Sequence, residues 1–332
     1  MQLSDKDSFV IFRHPFEKKI QLLKGLWSTQ KPNITNIKIS FVLSDFNSKN
    51  ICFLTGEKIL FNQPITVTTN KNYNEVVLDK KKYLKIAQMF ISSCKNENIE
   101  KIILSRIIER KNKLHDIYPI FKQLCIDYDH SFNYLLNHPE YGMWLGASPE
   151  ILIKGDNENY YETIALAGSQ KWETDLFWNE KEIQEQQFVK KYIENILTHF
   201  SKEVKCVSDQ ETVKAGGVAH LSSIFHFKMK SSIMNLVHKL HPTPAVCGIP
   251  KNKAKEIINT HEPHKRNLYC GYLGEFKADS AALYVNLRCM KITNSSFYLY
   301  AGGGLTALSI PEKEWEETEI KSQTLLSVIK NL

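Results

Sequence analysis

Glycine and proline are scarce in this 332-residue chain, at 14 and 11 residues, and no Gly/Ser/Pro-rich stretch divides it. Length alone favours about two domains, but without a linker the expectation is one large domain. No apolar run approaches the ~18 residues that a membrane-crossing helix needs. The first residues, Met1-Gln2-Leu3-Ser4-Asp5-Lys6-Asp7, lack the basic-then-apolar pattern of a secretory signal. The seven cysteines are odd in number and scattered from Cys52 to Cys289, with no CxxC among them. That argues against a disulfide frame or a zinc site and for reduced thiols in a cytoplasmic protein. Clustered positive charge is missing as well: 43 Lys and Arg against 36 Asp and Glu give +7, spread without long runs. A nucleic-acid footprint would need clustering, whereas a small anionic substrate is compatible with the balance.

What the chain does have is carboxylates at helical spacing. In Glu314-Trp315-Glu316-Glu317-Thr318-Glu319-Ile320-Lys321, residues Glu314, Glu317 and Lys321 fall on one helix face. A lone charged stripe of this kind is ordinarily a solvated surface with weak ion pairs. A second pair far upstream, Glu182 and Glu185, alters that balance. Two helices that each offer carboxylates at i and i+3 can face each other and hold one hard cation through oxygen ligands.

In chain order, short apolar runs at 37–43 and 51–54 read as strands joined by Asn-rich turns. Helical periodicity covers 79–98, with Asp79 as cap, then about 116–128, 179–200, 232–240 and 251–260, and a closing helix starts near Pro311. Strands are expected at 101–108, on both sides of the turn at 139–142, and at 151–153, 160–167, 218–227, 269–276, 281–292 and 297–301. The last runs into Gly302-Gly303-Gly304. Residues 241–250, with three prolines, read as a stiff loop. Strands punctuated by long helices without regular βαβ alternation indicate an α+β fold.

Nine segments in this order resemble the chorismate-utilising enzymes, a family that includes isochorismate, anthranilate, aminodeoxychorismate and salicylate synthases. They are KIILSR (101–106), GASPE (146–150), ALAGS (165–169), KEIQE (181–185), HPTPAVCG (241–248), YCGYLG (269–274), VNLR (285–288), AGGGL (301–305) and EWEET with Lys321. The resemblance covers residues from about 81 to 332, leaving 1–80 as a variable N-terminal part of the same fold. It implies a single layered α/β/β/α sandwich, with helices outside two sheets and a deep central cleft that uses Mg2+.

Residue by residue, the resemblance makes Glu185 and Glu317 direct Mg2+ ligands, with Glu182 and Glu314 holding the metal's waters or adding charge. Arg288, Tyr269 and the amides around Gly302, Gly303 and Gly304 look like the cradle for the enolpyruvyl carboxylate. Lys321 resembles a further carboxylate contact, and Ser169, His241, Thr243 and Ala245 belong to the substrate wall. For His241 a structural role in its loop weighs as much as a substrate-positioning one. A dianionic substrate calls for a cation, an Arg fork and closely approaching amides, so the set is chemically coherent. Lys101 resembles the general base that activates water, and Glu150 the general acid that protonates the departing C4 hydroxyl. Each would need a shifted pKa to work near neutrality. On their own, Lys101 reads as a strand-edge lysine and Glu150 as a turn carboxylate.

Three positions select the branch. Lys101 stands where anthranilate synthases typically carry glutamine, Ala167 where aminodeoxychorismate synthases carry an adduct-forming lysine, and Ala245 where salicylate synthases tend to carry a bulkier hydroxylated residue. These imply an isochorismate synthase, an isomerase needing no glutamine amidotransferase partner. Its product would feed menaquinone or catecholate siderophore formation, with menaquinone slightly favoured. Many relatives work as monomers. Departures from the family pattern are Gln186 for the usual histidine, AGGGL for AGAG, and Ser169 for threonine. The alternatives are a salicylate synthase, which would also eliminate pyruvate, and a non-catalytic chorismate-binding protein, for which a paired acid and base would have no use.

Overall fold

Strand Phe9–Arg13 is buried along its whole length because its two faces feed two different cores. Val10 and Phe12 join the larger core, while Phe9 and Ile11 join the smaller one. Strand Phe132–His138 divides in the same way, with Phe132, Tyr134 and Leu136 on one side and Leu135 on the other. Period-2 alternation with apolar residues on both faces is what a sheet covered on both sides requires.

The computed structural model describes residues 1–32, 40–59, 64–158, 160–173, 175–215, 218–277 and 279–330, and of residues 169, 215 and 218 the backbone only. Among them are six helices: α1 (Lys80–Asn96), α2 (Tyr118–Asp127), α3 (Glu180–Phe200), α4 (Ile233–Leu240), α5 (Lys251–His261) and α6 (Pro311–Lys330). Caps explain three of the starts, Ser232 accepting from the Asn235 N–H ahead of α4. Asp79 accepts from the Lys82 N–H ahead of α1, and Asn179 from the N–H groups of Lys181 and Glu182 ahead of α3. No described helix is long and apolar enough to cross a membrane.

The chain folds into a mixed α/β structure dominated by one large antiparallel sheet. Among the described residues, the two layers expected as separate sheets are a single hydrogen-bonded array of sixteen strands folded over on itself, beside a two-stranded parallel pair, Gln2–Ser4 with Thr66–Thr68. The fold-over brings Phe132 onto Tyr284 with ring centroids 4.4 Å apart, although their strands lie far apart in the sheet order. Strands from the first 80 residues (Phe9–Arg13, Gln21–Ser28, Ser40–Ser44, Ile51–Ile59) fill the middle of the array, between Tyr272–Phe276 and Phe132–His138. Residues 37–39 of the expected strand at 37–43 lie outside the described residues.

Two crossings between the halves of the sheet place the site. Strand Gly142–Ser148 belongs to one half and its successor Ile151–Asp156 to the other, so the chain crosses at Pro149-Glu150. The single strand expected at 281–292 is two, Ser280–Val285 and Cys289–Ile292, interrupted at the second crossing. Arg288 has φ +46° there, a left-handed backbone that no regular strand tolerates. The Ala147 N–H donates to the Arg288 carbonyl and the Val285 N–H to that of Glu150, which laces the two crossings together. The glycines expected to follow a strand lie inside one: Ser296–Leu305 pairs with Lys101–Lys111, setting Gly304 opposite Ile103 and Gly302 opposite Ser105.

Candidate active site

A cleft lies where the two crossings meet the paired strands 101–111 and 296–305. Lys101, Glu150, Glu185, Ala245, Tyr269, Arg288, Gly302, Gly303, Gly304 and Lys321 all line it. Residues from eight separate segments of the family pattern therefore converge on one space.

Lys101 opens its strand and is 1% exposed; its Nζ lies 2.8 Å from Glu185 Oε1. Glycine at 304 is what permits this pairing. A Cβ there would stand 2.6 Å from Glu185 Oε1 and 2.7 Å from Lys101 Cε, closer than side-chain atoms approach. Burial would raise the Glu185 carboxyl, but Lys101 and Lys181 outweigh it and hold the group below the usual carboxylate range.

Glu150 is 2% exposed. Burial drives its carboxyl up to about 8 even though Lys101, a 3.4 Å contact from Thr243 Oγ1, Lys321 and Arg288 all pull the other way. It thus holds its proton at neutral pH.

Arg288 meets a residue that sequence reading passed over. His220 is buried, its Nδ1 3.0 Å from the Gly168 carbonyl and its Nε2 3.3 Å from Arg288 Nη2. Nδ1 donates to the carbonyl, so the network assigns Nε2 as acceptor for the guanidinium. Burial and the nearby Arg288 and Lys321 push the ring down to about 3, which keeps it neutral. His220 also lines the cleft. Its inward place on strand Val218–Met229 gave it away only as a core position, because one histidine in an alternating run is ordinarily that. Gly168 has φ +71° at the irregularity between Ala167 and Ser169, and this turns its carbonyl toward the ring.

Two residues of the 241–250 loop face elsewhere than the open cleft. Thr243 is buried against Glu150, and His241 packs edge-on to Tyr272 with centroids 5.0 Å apart, outside the cleft lining. Burial drives His241 down to about 3. Its placement fits the structural role rather than direct contact with a ring in the cleft. Ser169 sits on strand Tyr161–Lys171, opposite His220 in the ladder.

The acidic pairs sit at the outer end. The α6 face is fixed by Arg106, whose Nε donates to Thr318 Oγ1 at 2.7 Å and whose guanidinium lies 3.6 Å from the Trp315 ring centre and pairs with Glu319. On α3, Gln186 donates to Ser223 Oγ at 2.8 Å and accepts from Gln210 at 3.1 Å, a satisfied amide where the resemblance implies histidine. Glu182, Glu314 and Glu317 line an outer chamber, and Lys321 borders both spaces.

The four glutamates do not close on one point. Among the described residues no group of three or more His, Cys, Asp or Glu side chains stands close enough to hold an ion. Lysines are interposed instead: Lys101 on Glu185 (2.8 Å), Lys181 on Glu314 (2.7 Å) and Lys321 on Glu317 (2.5 Å). The donor chemistry nonetheless suits a hard dication. All four are carboxylates, and the buried oxygens Glu182 Oε2 and Glu314 Oε2 have no hydrogen-bond partner. Burial, with Glu317 nearby, pushes Glu314 up to about 7, the mark of crowded negative charge that a cation would relieve.

A family model described as chorismate binding enzyme matches residues 46–330. Isochorismate synthase EntC of Escherichia coli strain K12 is 30% identical over 244 residues, covering 69% of this chain and 62% of that protein. Isochorismate synthase MenF of Bacillus subtilis strain 168 is 31% identical over 266 residues, covering 76% and 56%. The chain matches less than two thirds of the length of these relatives. Among solved structures, the menaquinone-specific isochorismate synthase MenF from Escherichia coli superposes with a TM-score of 0.83, at 19% identity, over 97% of this chain and 88% of that one. Anthranilate synthase component I from Streptococcus pneumoniae TIGR4 gives 0.73 at 17% identity, over 96% and 92%. At those identities the superpositions establish the fold, and the family match, which spans the cleft and both acidic helices, establishes that the chain belongs to the chorismate binding enzymes.

Proposed function

We propose that the protein is a Mg2+-dependent isochorismate synthase, an isomerase that adds water at C2 of chorismate and expels the C4 hydroxyl. The observation that carries the reading is Glu150: a buried carboxyl held near 8 and facing the same cleft as Lys101. A carboxylic acid that keeps its proton at neutral pH is what a leaving hydroxyl requires. Lys101, freed of one proton, takes a proton from water as the water oxygen bonds to C2. The ring double bonds shift, the C4–O bond breaks, and Glu150 gives its proton to the departing oxygen. Water enters and water leaves, so the product is an isomer of the substrate.

Binding follows from charge. Arg288, oriented by neutral His220, offers a guanidinium to one carboxylate, with Tyr269 and the strand amides at 302–304 beside it. Glu182, Glu185, Glu314 and Glu317 would hold Mg2+, which supplies positive charge for the other carboxylate. The product would feed menaquinone or catecholate siderophore formation; among the similar proteins one is named menaquinone-specific and another vibriobactin-specific.

The test incubates purified protein with chorismate and Mg2+, with and without EDTA, and separates products by mass and ultraviolet spectrum. A Mg2+-dependent isomer of chorismate that disappears in Lys101→Ala supports the reading. Salicylate with pyruvate would assign the chain to the neighbouring branch, and unchanged chorismate would leave a binding role.

A further inference from the structure

Behind the cleft, touching none of its open surface, lies a buried ion pair that belongs to neither the acid–base pair nor the acidic cluster. Glu262 follows the last turn of α5, and Arg266 lies four residues on; they are 9% and 4% exposed. Glu262 Oε1 accepts from the Ser105 N–H at 2.7 Å, from Ser105 Oγ at 2.9 Å and from Arg266 Nη2 at 2.6 Å, while Oε2 accepts from Arg266 Nε at 2.7 Å. The guanidinium reaches further. Nη1 donates to the Val246 carbonyl at 2.7 Å and Nη2 to that of Ile103 at 2.9 Å. The carbonyl of Arg266 itself accepts from the Tyr269 N–H at 2.9 Å.

Those contacts end on three walls of the cleft. Ile103 is two residues from Lys101 on the same strand, Val246 follows Ala245 in the 241–250 loop, and Tyr269 begins the segment opposite; all three line the cleft. Resting on the function proposed above, we propose that Arg266 is a positioning residue. Anchored by Glu262, its planar fork sets the separation of the lysine strand and the substrate loop, while its main-chain carbonyl ties in the Tyr269 turn.

Only a guanidinium presents donors along three directions in one rigid plane; a lysine is a single point charge on a flexible stem. A merely structural ion pair could lose its fork with a cost in stability alone. A fork that sets the cleft must cost catalysis even in protein that is fully folded. A displacement of about 1 Å at reacting groups is worth on the order of a hundredfold in rate.

The experiment compares Arg266→Lys and Glu262→Gln with Leu124→Ala, a cavity in the smaller core at a residue that does not line the cleft. Chorismate turnover and chorismate Kd are read well below each melting temperature. Leu124→Ala is expected to melt earlier and to keep kcat and KM within about twofold, a surface-remote cavity acting through stability. Arg266→Lys is expected to lose about ten- to a hundredfold in kcat/KM, with kcat carrying most of the loss and Kd weakening by a few fold. Glu262→Gln, which keeps the shape and the acceptor for Ser105, should lose at least about fivefold and serves if the lysine variant fails to fold. Wild-type kcat, KM and Kd in whichever of the two folds would overturn the assignment. Wild-type protein that makes no isomer would instead sink the function and this assignment together.

Discussion

Replacing Glu150 by glutamine should slow catalysis severely and stabilise the fold, and the stabilisation should depend on pH. The carboxyl's ordinary value is 4.5, and burial holds it near 8 in the folded chain. Between those values the unfolded chain has lost the proton while the folded chain keeps it. The unfolded state therefore binds fewer protons, and stability falls as pH rises through the window. At 1.36 kcal/mol per pH unit the full span corresponds to about 5 kcal/mol, complete above about pH 8 and absent below about pH 4.5. Glutamine cannot ionise and escapes this loss, while every other titrating group is common to both chains and cancels in the difference. Urea unfolding of wild type and Glu150→Gln at pH 5, 6.5 and 8.5 measures it. The variant's advantage should grow by several kcal/mol from pH 5 to 8.5, while kcat drops by about 10²–10⁴ at every pH. An advantage that stays constant with pH would refute the buried, proton-holding carboxyl on which the mechanism rests.

In wild type, the same group predicts that kcat/KM declines as pH rises through about 8, because the acid form of the free enzyme disappears; a kcat/KM profile flat to pH 9 would contradict it. Gly304→Ala puts a methyl within 2.7 Å of both Lys101 and Glu185 and should lower kcat by about a hundredfold, with far-ultraviolet circular dichroism unchanged. Mg2+ at about 100 times its Kd should stabilise the protein by about 2.7 kcal/mol, read as a rise in melting temperature that Glu317→Gln removes. Asp79→Ala, which loses the cap of α1, should cost about 1 kcal/mol in urea and leave kcat unchanged.

Much of the helical frame was legible because its signals are local. Asp79 and Asn179 cap the helices they precede, and the i, i+3 glutamates of α3 and α6 lie on the faces that 3.6 periodicity assigns. The strands were harder. Ser201–Ala215 is largely exposed, and its few apolar residues are scattered among charged and hydroxyl side chains, so no apolar alternation marks it. Asn286 to Arg288 separates two strands by a left-handed backbone at Arg288, and the sequence there carries neither the glycine nor the proline that would signal a break. Arg288 could be named from a motif, but its contact with His220 joins residues 68 positions apart. The same holds for the lysines on the glutamates: Lys321 on Glu317 is an i, i+4 pair on one helix, whereas Lys181 reaches Glu314 from another helix. His241 shows the reverse limit, since its motif places it beside the site while its ring turns to Tyr272.

The most direct test of the chemistry is turnover in H₂¹⁸O, with the product analysed by mass spectrometry and ¹³C NMR. If Lys101 activates water and Glu150 releases the C4 hydroxyl, the isomer gains one ¹⁸O, attached at C2, and both the label and the isomer vanish in Lys101→Ala. An unlabelled isomer, or label retained at C4, would contradict the account.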